Sequence, residues 1–430
     1  MAPRTLAQWL DWQSRLHPAG IALGLERVRA VWRRMRIDLG GVPVITVAGT
    51  NGKGSMVAFL EAICRQAGYR TGAYTSPHLY RYNERIRVAG QEVEDRVLVA
   101  AFEAVEAARA DVPLTYFEFG TLAALWCFAR ARCEVLLLEV GLGGRLDAVN
   151  LIDPDCALLG QIALDHADWL GADREAIGRE KAGIFRSGRP AVCGDPRPPA
   201  SVRRQAAALG TRLWVAGEDF RVHRHPSGRW DWHGPGGALT DLPTPGLPGL
   251  HQYGNAAAAI AACRLLGARL PLAGEAVRRG LGAVRLAGRF ERLARNPEVI
   301  LDVAHNPAAA AALADLLAAR PVAGRTLGVF AALGDKDVPG MVRALATRVD
   351  VWHLAGLDHP RGLRVEALRD RMPDDLPVRI HATVAAACHA ALAEAGADDR
   401  ILVFGSFHTL AAARPVLVDI LPATEGSEDG

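Results

Sequence analysis

The feature that most constrains the fold is a glycine-rich loop placed between a buried strand and a helix. Residues 42–48 form a short β-branched run that predicts a buried strand. Residues 56–67 have the pattern of a helix, and Gly68 follows as its expected C-terminal stop. A strand, a glycine loop and a helix in this order present backbone N–H groups to phosphate. The sequence therefore predicts an α/β unit with a phosphate site.

The residues of this loop are suited to binding phosphate. Glycines let the backbone curl around phosphate oxygens, the helix start adds partial positive charge and Lys53 adds a full charge. The loop departs from the strict Walker A pattern, because Gly54 separates Lys53 from Ser55. The alternative is an ordinary glycine turn. The candidate phosphate-binding residues are Gly49, Thr50, Asn51, Gly52, Lys53, Gly54 and Ser55.

A second candidate is Glu139, which closes the apolar run at residues 135–140, just before GLGGRLDAVN. A carboxylate at such a position is costly unless it meets a cation or a donor. Ligands bind at the carboxyl ends of parallel strands, and Mg²⁺ takes only one or two protein carboxylates beside phosphate and water. Glu139 is therefore a candidate Mg²⁺ ligand, with a solvated strand end as the alternative.

Three further positions each have an ordinary structural explanation. His166 follows an apolar run, where a histidine is more often a hydrogen-bonding residue than a ligand. Lys181 would ordinarily be a surface helix residue. Asp302 lies at a strand end in LDVAHNP, where Asn306 and Pro307 also fit the N-cap and first position of a helix.

Strand and helix patterns alternate along the chain and predict two α/β domains. We place the first at residues 1–286 and a smaller one at 287–430. Prolines and glycines cluster at 194–249, where we expect short strands and surface loops. The last eight residues, ATEGSEDG, are expected to be disordered.

Composition narrows the class of protein. The formal net charge is only +3 and no run of basic residues stands out, so we expect no nucleic-acid or membrane partner. Seven cysteines without metal spacing indicate reduced thiols. The N-terminal residues lack an apolar signal core. Together these features predict a cytoplasmic protein.

Ten sequence blocks, taken in order, resemble the Mur ligase superfamily and, within it, the folylpolyglutamate synthase and dihydrofolate synthase family. Each block alone is weak evidence, but ten in the family's order are specific. The blocks are AGTNGKGS, TSPHLYRYNERIRV, LTYFEFGTLAAL, LEVGLGGRLDAVN, IALDHADWLG, IGREKAGIF, AGRFE, LDVAHNP, DKD and FGSFHT.

The resemblance implies a fold and a reaction. The fold is a P-loop NTPase-like N-terminal domain with a mostly parallel sheet, followed by a smaller Rossmann-like domain. The reaction is an ATP-dependent ligation through an acyl phosphate, with two Mg²⁺ ions. L-Glutamate would be joined to dihydropteroate and further glutamates to reduced folates, by a monomer. The TYFEFGT and GSFHT blocks resemble the bacterial bifunctional type.

The same resemblance assigns residue roles at matching positions. Ser76, Glu139, His166 and Lys181 match the metal ligands, and Lys181 matches the lysine that carries a carbamate. Closure of the second domain would bring its nucleotide contacts to ATP. The nucleotide contacts beyond the loop are Asn255, Arg289 and Asp302. The pterin contacts are Thr115, Tyr116, Phe117 and Glu118, with Leu146, Asp147 and Ala148.

Four alternatives stay open at this point. A dedicated folylpolyglutamate synthase would lack the dihydropteroate reaction. A UDP-muramoyl amino acid ligase would usually need an N-terminal domain, for which the 48 residues before Gly49 leave little room. A non-catalytic binding protein would have lost Lys53, Glu139, His166 or Lys181, and all four are present. A P-loop kinase would form no amide bond.

Overall fold

The computed structural model describes residues 4–18 and 21–421. Within them the chain divides into two compact units, one of residues up to 246 with 252–284, the other of residues 247–251 with those from 285 onward. The functional division at residue 286 stays a prediction. The C-terminal segment expected to be disordered lies outside the described residues.

The first unit is built on an eight-stranded sheet. Its order is β4-β3-β2-β5-β1-β6-β7-β8, parallel from β2 to β8, with β3 and β4 antiparallel at one edge. β1 and β5 are buried throughout, as parallel central strands must be. The strands are β1 Val44–Ala48, β2 Thr71–Tyr74, β3 Ile86–Val88, β4 Gln91–Glu92, β5 Val135–Glu139, β6 Cys156–Leu159, β7 Ala191–Cys193 and β8 Leu213–Val215.

Helices connect and cover these strands. The expected helix after the glycine loop is present, but it begins at Lys53, three residues earlier than predicted. The helices are α1 Leu6–Ser14, α2 Glu26–Met35, α3 Lys53–Gln66, α4 Asp95–Arg109, α5 Tyr116–Arg130, α6 Ala167–Leu170, α7 Arg174–Ala182, α8 Ala200–Leu209, α9 Leu250–Leu266 and α10 Gly274–Ala283. Short 3-10 turns lie at Tyr82–Arg85, Ala148–Leu151 and Gly267–Arg269.

The proline-rich stretch at 194–249 contains more regular structure than expected. The helix α8 lies within it, so the prediction of strands and loops alone was wrong there. The strands β9 Arg221–Arg224, β10 Trp230–Gly234 and β11 Gly237–Leu242 form a separate antiparallel sheet. Trp230 and Trp232 are buried on one face of that sheet and contact α9: Trp232 Nε1 donates to the carbonyl of Ala257, and the ring of Trp230 lies 5.6 Å from that of Tyr253.

The second unit contains a six-stranded sheet, β12-β13-β17-β14-β15-β16, in which only the edge strand β12 is antiparallel. Phe330, Trp352 and Phe404 pack together in its core. The strands are β12 Glu291–Arg295, β13 Glu298–Asp302, β14 Thr326–Phe330, β15 Val351–Ala355, β16 Val378–His381 and β17 Arg400–Phe404. The helices are α11 Pro307–Ala319, α12 Val338–Leu345, α13 Val365–Arg369, α14 Val384–Glu394 and α15 Phe407–Ile420.

Both units have the α/β character predicted from the alternating patterns. All seven cysteines are buried free thiols, as expected for a reduced chain. Among the described residues, no helix is long and apolar enough to cross a membrane.

Candidate active site

The glycine loop turns sharply into α3 at Gly52. This residue caps the helix in a left-handed conformation, with φ of 85°. A Cβ atom at Gly52 would lie only 2.6 Å from Oδ1 of Asn255, so a side chain there would displace the amide of Asn255. The backbone angle therefore favours glycine, and the absence of a side chain leaves room for the amide of Asn255.

The segment that follows β6 holds the loop in place. The backbone N–H of Thr50 donates to the carbonyl of Gln161 at 2.7 Å. The hydroxyl of Thr50 donates to the carbonyl of Ala163 at 3.0 Å and accepts from the N–H of Ala163 at 3.1 Å. The side-chain amide of Asn51 donates to Gln161 Oε1 at 3.2 Å. Thr50 and Asn51 thus fix the loop to the segment after β6.

Two lysines converge on the carbonyl of Gly49. Lys53 Nζ donates to it at 3.1 Å, and Lys181 Nζ donates to it at 3.0 Å. Lys181 is only 4% exposed, so its interpretation as a surface helix residue was wrong. Burial, and then the charge of Lys53, lower the pKa of Lys181 to about 7, although Asp165 and Asp147 act in the opposite direction.

Glu139 is buried at the end of β5, which excludes the solvated alternative. Its Oε2 accepts a hydrogen bond from the backbone N–H of the half-buried Ser76 at 3.1 Å. A buried carboxylate at the carboxyl end of a parallel sheet is the environment that the sequence suggested for a metal ligand.

His166 has an unusual backbone for a histidine. Its φ is 52°, its side chain is 34% exposed, and its Nε2 lies 3.9 Å from Asp165 Oδ2. Across residues 4–18 and 21–421, no group of three or more His, Cys, Asp or Glu side chains is placed to hold a metal ion. Of the four predicted metal ligands, only Glu139 and His166 are of these residue types. The other two ligands would be Ser76 and a chemically modified Lys181.

Asp147 lies in the glycine-rich loop after β5. Burial raises its pKa to about 7, although backbone N–H groups and Lys53 act in the opposite direction. Its two carboxylate oxygens accept from the N–H groups of Leu142 and Val149, both at 2.9 Å. The neighbouring Ala148 is buried, and the carbonyl of Leu146 accepts from the N–H of Gly24 at 3.2 Å.

The start of α5 combines a cap with an ion pair. Thr115 and Glu118 form a reciprocal capping box. Glu118 is also 3.0 Å from Arg27 on α2, a partner that the sequence did not suggest. The rings of Phe117 and Tyr74 lie 5.7 Å apart, as do those of Tyr116 and Tyr82. The four predicted pterin contacts at the start of α5 therefore lie among aromatic rings and beside an ion pair.

The helix α9 contributes Gln252, a residue beside the glycine loop that the sequence did not indicate. Asn255 Nδ2 donates to Gln252 Oε1 at 2.9 Å, and Gln252 Nε2 donates in turn to the hydroxyl of Ser55 at 3.4 Å. Gln252 is buried and lies 197 residues from Ser55 in the chain. No local sequence signal connects the two positions.

In the second unit, Asp302 ends β13. Its carboxylate accepts from the N–H groups of Phe290 and Ala304 at 2.9 and 2.8 Å. Burial raises the pKa of Asp302, and the charge of Arg289 partly offsets this. The guanidinium of Arg289 lies 5.5 Å from the ring centre of Phe407.

The helix-start interpretation of the LDVAHNP block is confirmed. Asn306 caps α11 by accepting from the N–H of Ala309 at 2.9 Å, and Pro307 begins the helix. A helix cap and a nucleotide contact are compatible, and the role of Asp302 as a nucleotide contact stays a prediction.

Comparison with known proteins identifies the family. Residues 47–263 match the Mur ligase middle domain, and residues 288–407 match the Mur ligase, glutamate ligase domain. The dihydrofolate synthase/folylpolyglutamate synthase of Escherichia coli strain K12 is 46% identical, over 97% of this chain and 96% of that protein. The chain belongs to the dihydrofolate synthase/folylpolyglutamate synthase family of Mur ligases.

Solved structures of similar proteins agree with this Mur ligase in fold. Escherichia coli FolC in complex with DHPP and ADP gives a TM-score of 0.92 at 45% identity, covering 97% of this chain and 99% of that one. A bifunctional folylpolyglutamate synthase/dihydrofolate synthase with Mn, AMPPNP and L-glutamate bound gives 0.89 at 44% identity, covering 98% and 99%. The predicted Mur ligase architecture and the class of ATP-dependent ligase are confirmed.

Replacing Gly52 with alanine is expected to damage nucleotide binding by this Mur ligase. The left-handed backbone angle alone costs about 1–2 kcal/mol for a residue with a side chain, and the contact with Asn255 adds to that. Gly68 is a matched control, since its φ is 92° but a Cβ atom added there would meet no other atom within 4 Å. We expect Gly52→Ala to weaken ATP binding in calorimetry, and Gly68→Ala to lower the melting temperature only. Equal ATP affinity in both variants would contradict this role of Gly52.

Proposed function

We propose that this chain joins L-glutamate to dihydropteroate, making dihydrofolate, and adds further glutamates to reduced folates. ATP converts the substrate carboxylate into an acyl phosphate, which the amine of glutamate then attacks. The observation that carries the proposal is the buried Lys181, whose amine meets the phosphate loop at the carbonyl of Gly49. Lysine is almost never buried in a helix without a specific partner, and this one is buried beside a loop suited to binding phosphate.

ATP is the proposed nucleotide. Phosphoryl transfer depends mostly on positioning and charge neutralisation, which loop N–H groups and Lys53 can supply. In our proposal, residues 49–55 hold the phosphates, and Asn255, Arg289 and Asp302 contact the nucleotide. The link from Asn255 through Gln252 to Ser55 supports a role for α9 in shaping this loop.

Two Mg²⁺ ions are the proposed metals, with Ser76, Glu139, His166 and a carbamylated Lys181 as their protein ligands. The buried carboxylate of Glu139 fits a hard cation, since an uncompensated charge there would be costly. When bound, the ions would neutralise phosphate charge and orient the substrate carboxylate. A solved relative contains Mn, AMPPNP and L-glutamate, which supports a divalent metal in this family.

The proposed carbamate on Lys181 changes the sign of its charge. A neutral amine attacks CO₂, a C–N bond forms and one proton is released, which leaves an anionic carbamate. With a pKa of about 7, about half of the Lys181 amines are neutral near pH 7, whereas a free lysine with a pKa of about 10.4 is almost wholly protonated. The environment of Lys181 therefore favours the modification that the metals require.

The proposed pterin site combines the start of α5 with the loop after β5. Its residues are Thr115, Tyr116, Phe117 and Glu118, together with Leu146, Asp147 and Ala148. Aromatic rings supply a surface for a flat pterin, and buried carboxylates can accept hydrogen bonds from its N–H and amino groups. DHPP is bound in the complex of the similar Escherichia coli protein, which supports a pterin ligand. We propose that the enzyme acts as a monomer, with small-molecule substrates and no nucleic-acid or membrane partner.

Purified protein should carry out both reactions. Mass spectrometry of products formed from ATP, L-glutamate and either dihydropteroate or tetrahydrofolate is expected to detect dihydrofolate and glutamylated tetrahydrofolate. If only the folate is extended, the protein is a dedicated folylpolyglutamate synthase. If neither product forms while a UDP-muramoyl substrate gains an amino acid, the folate assignment is wrong.

A further inference from the structure

The segment that follows β6 has two sides with different partners. Gln161 and Ala163 face the glycine loop, where both bond to Thr50. Gln161 also forms an antiparallel bridge with Asn51. In an antiparallel pairing every second residue directs its N–H and carbonyl to the partner strand, so the intervening Ile162 directs its own backbone groups to the other side. Whatever holds Ile162 therefore bears on the position of the loop.

An ion pair holds both backbone groups of Ile162. Its N–H donates to Asp195 Oδ2 at 3.1 Å, and its carbonyl accepts from Arg174 Nε at 2.8 Å. The guanidinium of Arg174 also donates to Asp195 Oδ2 at 2.8 Å. The three residues thus form a closed ring of hydrogen bonds, in which a cation and an anion each bind one end of the same residue.

The ion pair is itself held in place. Asp195 is only 5% exposed, and its second oxygen, Oδ1, accepts from the N–H of Arg197 at 2.9 Å. Arg174 donates in addition to the carbonyl of Arg197 at 3.0 Å. Hydrogen bonds to ionised groups are about twice as strong as those between neutral groups. The pair therefore forms a firm support for Ile162 and differs from an ion pair between two solvated side chains.

The topology of the first unit explains why these groups meet. The strands β6 and β7 are parallel neighbours, so Ile162 and Asp195, which follow them, emerge at the same edge of the sheet. Arg174 is the first residue of α7, and Lys181 lies about two turns further along that helix. The helix α7 therefore reaches the glycine loop directly through Lys181 and indirectly through Arg174 and Ile162.

We propose that Arg174 and Asp195 are positioning residues of the ligase, which set the conformation of the glycine loop by holding the main chain of Ile162. This inference deepens the proposed function, because it rests on the assignment of residues 49–55 to the phosphates of ATP. Phosphoryl transfer depends mostly on positioning, so a support behind the loop bears on both nucleotide affinity and rate. Arg174 and Asp195 act through Ile162 and do not have to touch a substrate.

The same support extends toward the proposed metal site. His166 follows Ala163 by three residues, and its φ of 52° makes a sharp turn. A turn of this kind persists only where the surrounding structure fixes it. Bonds at Ile162 and Ala163 fix the chain just before the turn. Release of Ile162 is therefore expected to disturb turnover as well as nucleotide binding.

Calorimetry with AMPPNP and Mg²⁺, together with steady-state kinetics, tests the proposal on Arg174→Ala. We expect the dissociation constant of AMPPNP to rise about 10-fold, a loss typical of one hydrogen bond to a charged group. We expect kcat to fall about 10- to 100-fold, because a small displacement of positioned groups lowers the rate steeply. The KM for tetrahydrofolate should stay near the wild-type value, since the proposed pterin site lies at the start of α5 and in the loop after β5.

Asp195→Asn is a second variant that keeps the size of the side chain. One carboxylate oxygen becomes an amide group, which then donates where Ile162 or Arg197 also presents an N–H donor. The same changes in affinity and kcat are expected, and they test the proposal even if Arg174→Ala folds poorly.

Arg203→Ala is the matched control. Arg203 lies on α8 and its side chain is 45% exposed, against 44% for Arg174. It also forms an ion pair, with its guanidinium 2.6 Å from Glu218. This variant loses an ion pair outside the path to the loop, so its AMPPNP affinity and kcat should match those of the wild type.

A double-mutant cycle shows whether Arg174 acts through the loop. Thr50→Val removes the hydroxyl that bonds to Ala163. If the path runs through that bond, Arg174→Ala should weaken AMPPNP binding less in the Thr50→Val background than in the wild type, because coupled sites are not additive. Equal fold-changes in both backgrounds would contradict the path.

Two further results would overturn the positioning role. A lower melting temperature of Arg174→Ala and Asp195→Asn with unchanged AMPPNP affinity and kcat would make the pair purely structural. A raised KM for tetrahydrofolate with unchanged AMPPNP affinity would connect the pair to the other substrate. Failure of the proposed function is distinct, because wild-type protein would then form no glutamylated product at all.

Discussion

Lys181→Ala should leave the ligase nearly inactive, with turnover reduced by at least about 10³-fold. Loss of one well-placed charge-stabilising group typically costs on the order of 10²–10³ in rate, and Lys181 would supply both oxygens of its carbamate. Its amine is buried against the carbonyl of Gly49 and has a pKa of about 7, so it is poised to react with CO₂. Turnover is measured as ATP- and glutamate-dependent product formation.

Chemical rescue distinguishes the carbamate from a merely structural lysine. Short carboxylates added to Lys181→Ala should restore part of the activity by supplying the missing oxygens. Lys181→Glu should recover less, because its carboxylate lies nearer the backbone than a carbamate would. Arg179→Ala, an exposed position on the same helix α7, is the control and should keep wild-type turnover. Substantial activity of Lys181→Ala without added carboxylate would refute the carbamate.

Glu139→Gln is expected to reduce turnover by about 10²–10³-fold while the fold stays intact. The amide keeps the size of the buried side chain and can still accept from the N–H of Ser76, but it lacks the negative charge that a Mg²⁺ ligand provides. The measurement is Mg²⁺-dependent turnover together with the melting temperature. Glu103→Gln, on the exposed face of α4, serves as the control. Near-normal Mg²⁺-dependent activity of Glu139→Gln would remove this residue from the metal site.

Elements with local signals could be predicted from the sequence. The start of the helix α11 was expected at Pro307 and lies there, because Asn306 and Pro307 give an unambiguous start. The central strands β1 and β5 were found because their apolar runs are continuous. The helix α8 was missed, because the prolines just before it suggest a loop and its own face is weakly apolar.

The identity of the candidate residues was accessible from the sequence, but their environment was not. The burial of Lys181 depends on the contact between α7 and a loop 132 residues away in the chain. The partners Arg27 of Glu118 and Gln252 of Ser55 are likewise separated by 91 and 197 residues. Such contacts follow from tertiary packing, for which one sequence carries no periodic or spacing signal.

The reciprocal bonds between Thr50 and Ala163 have a thermodynamic consequence for ligand capture. Fixing the backbone of one residue costs roughly 1–2 kcal/mol in conformational entropy. Because the hydroxyl and N–H of Thr50 already restrain the loop during folding, an incoming nucleotide does not have to order that residue itself. More of its interaction energy then remains available as affinity, which is the benefit of a preorganised receptor.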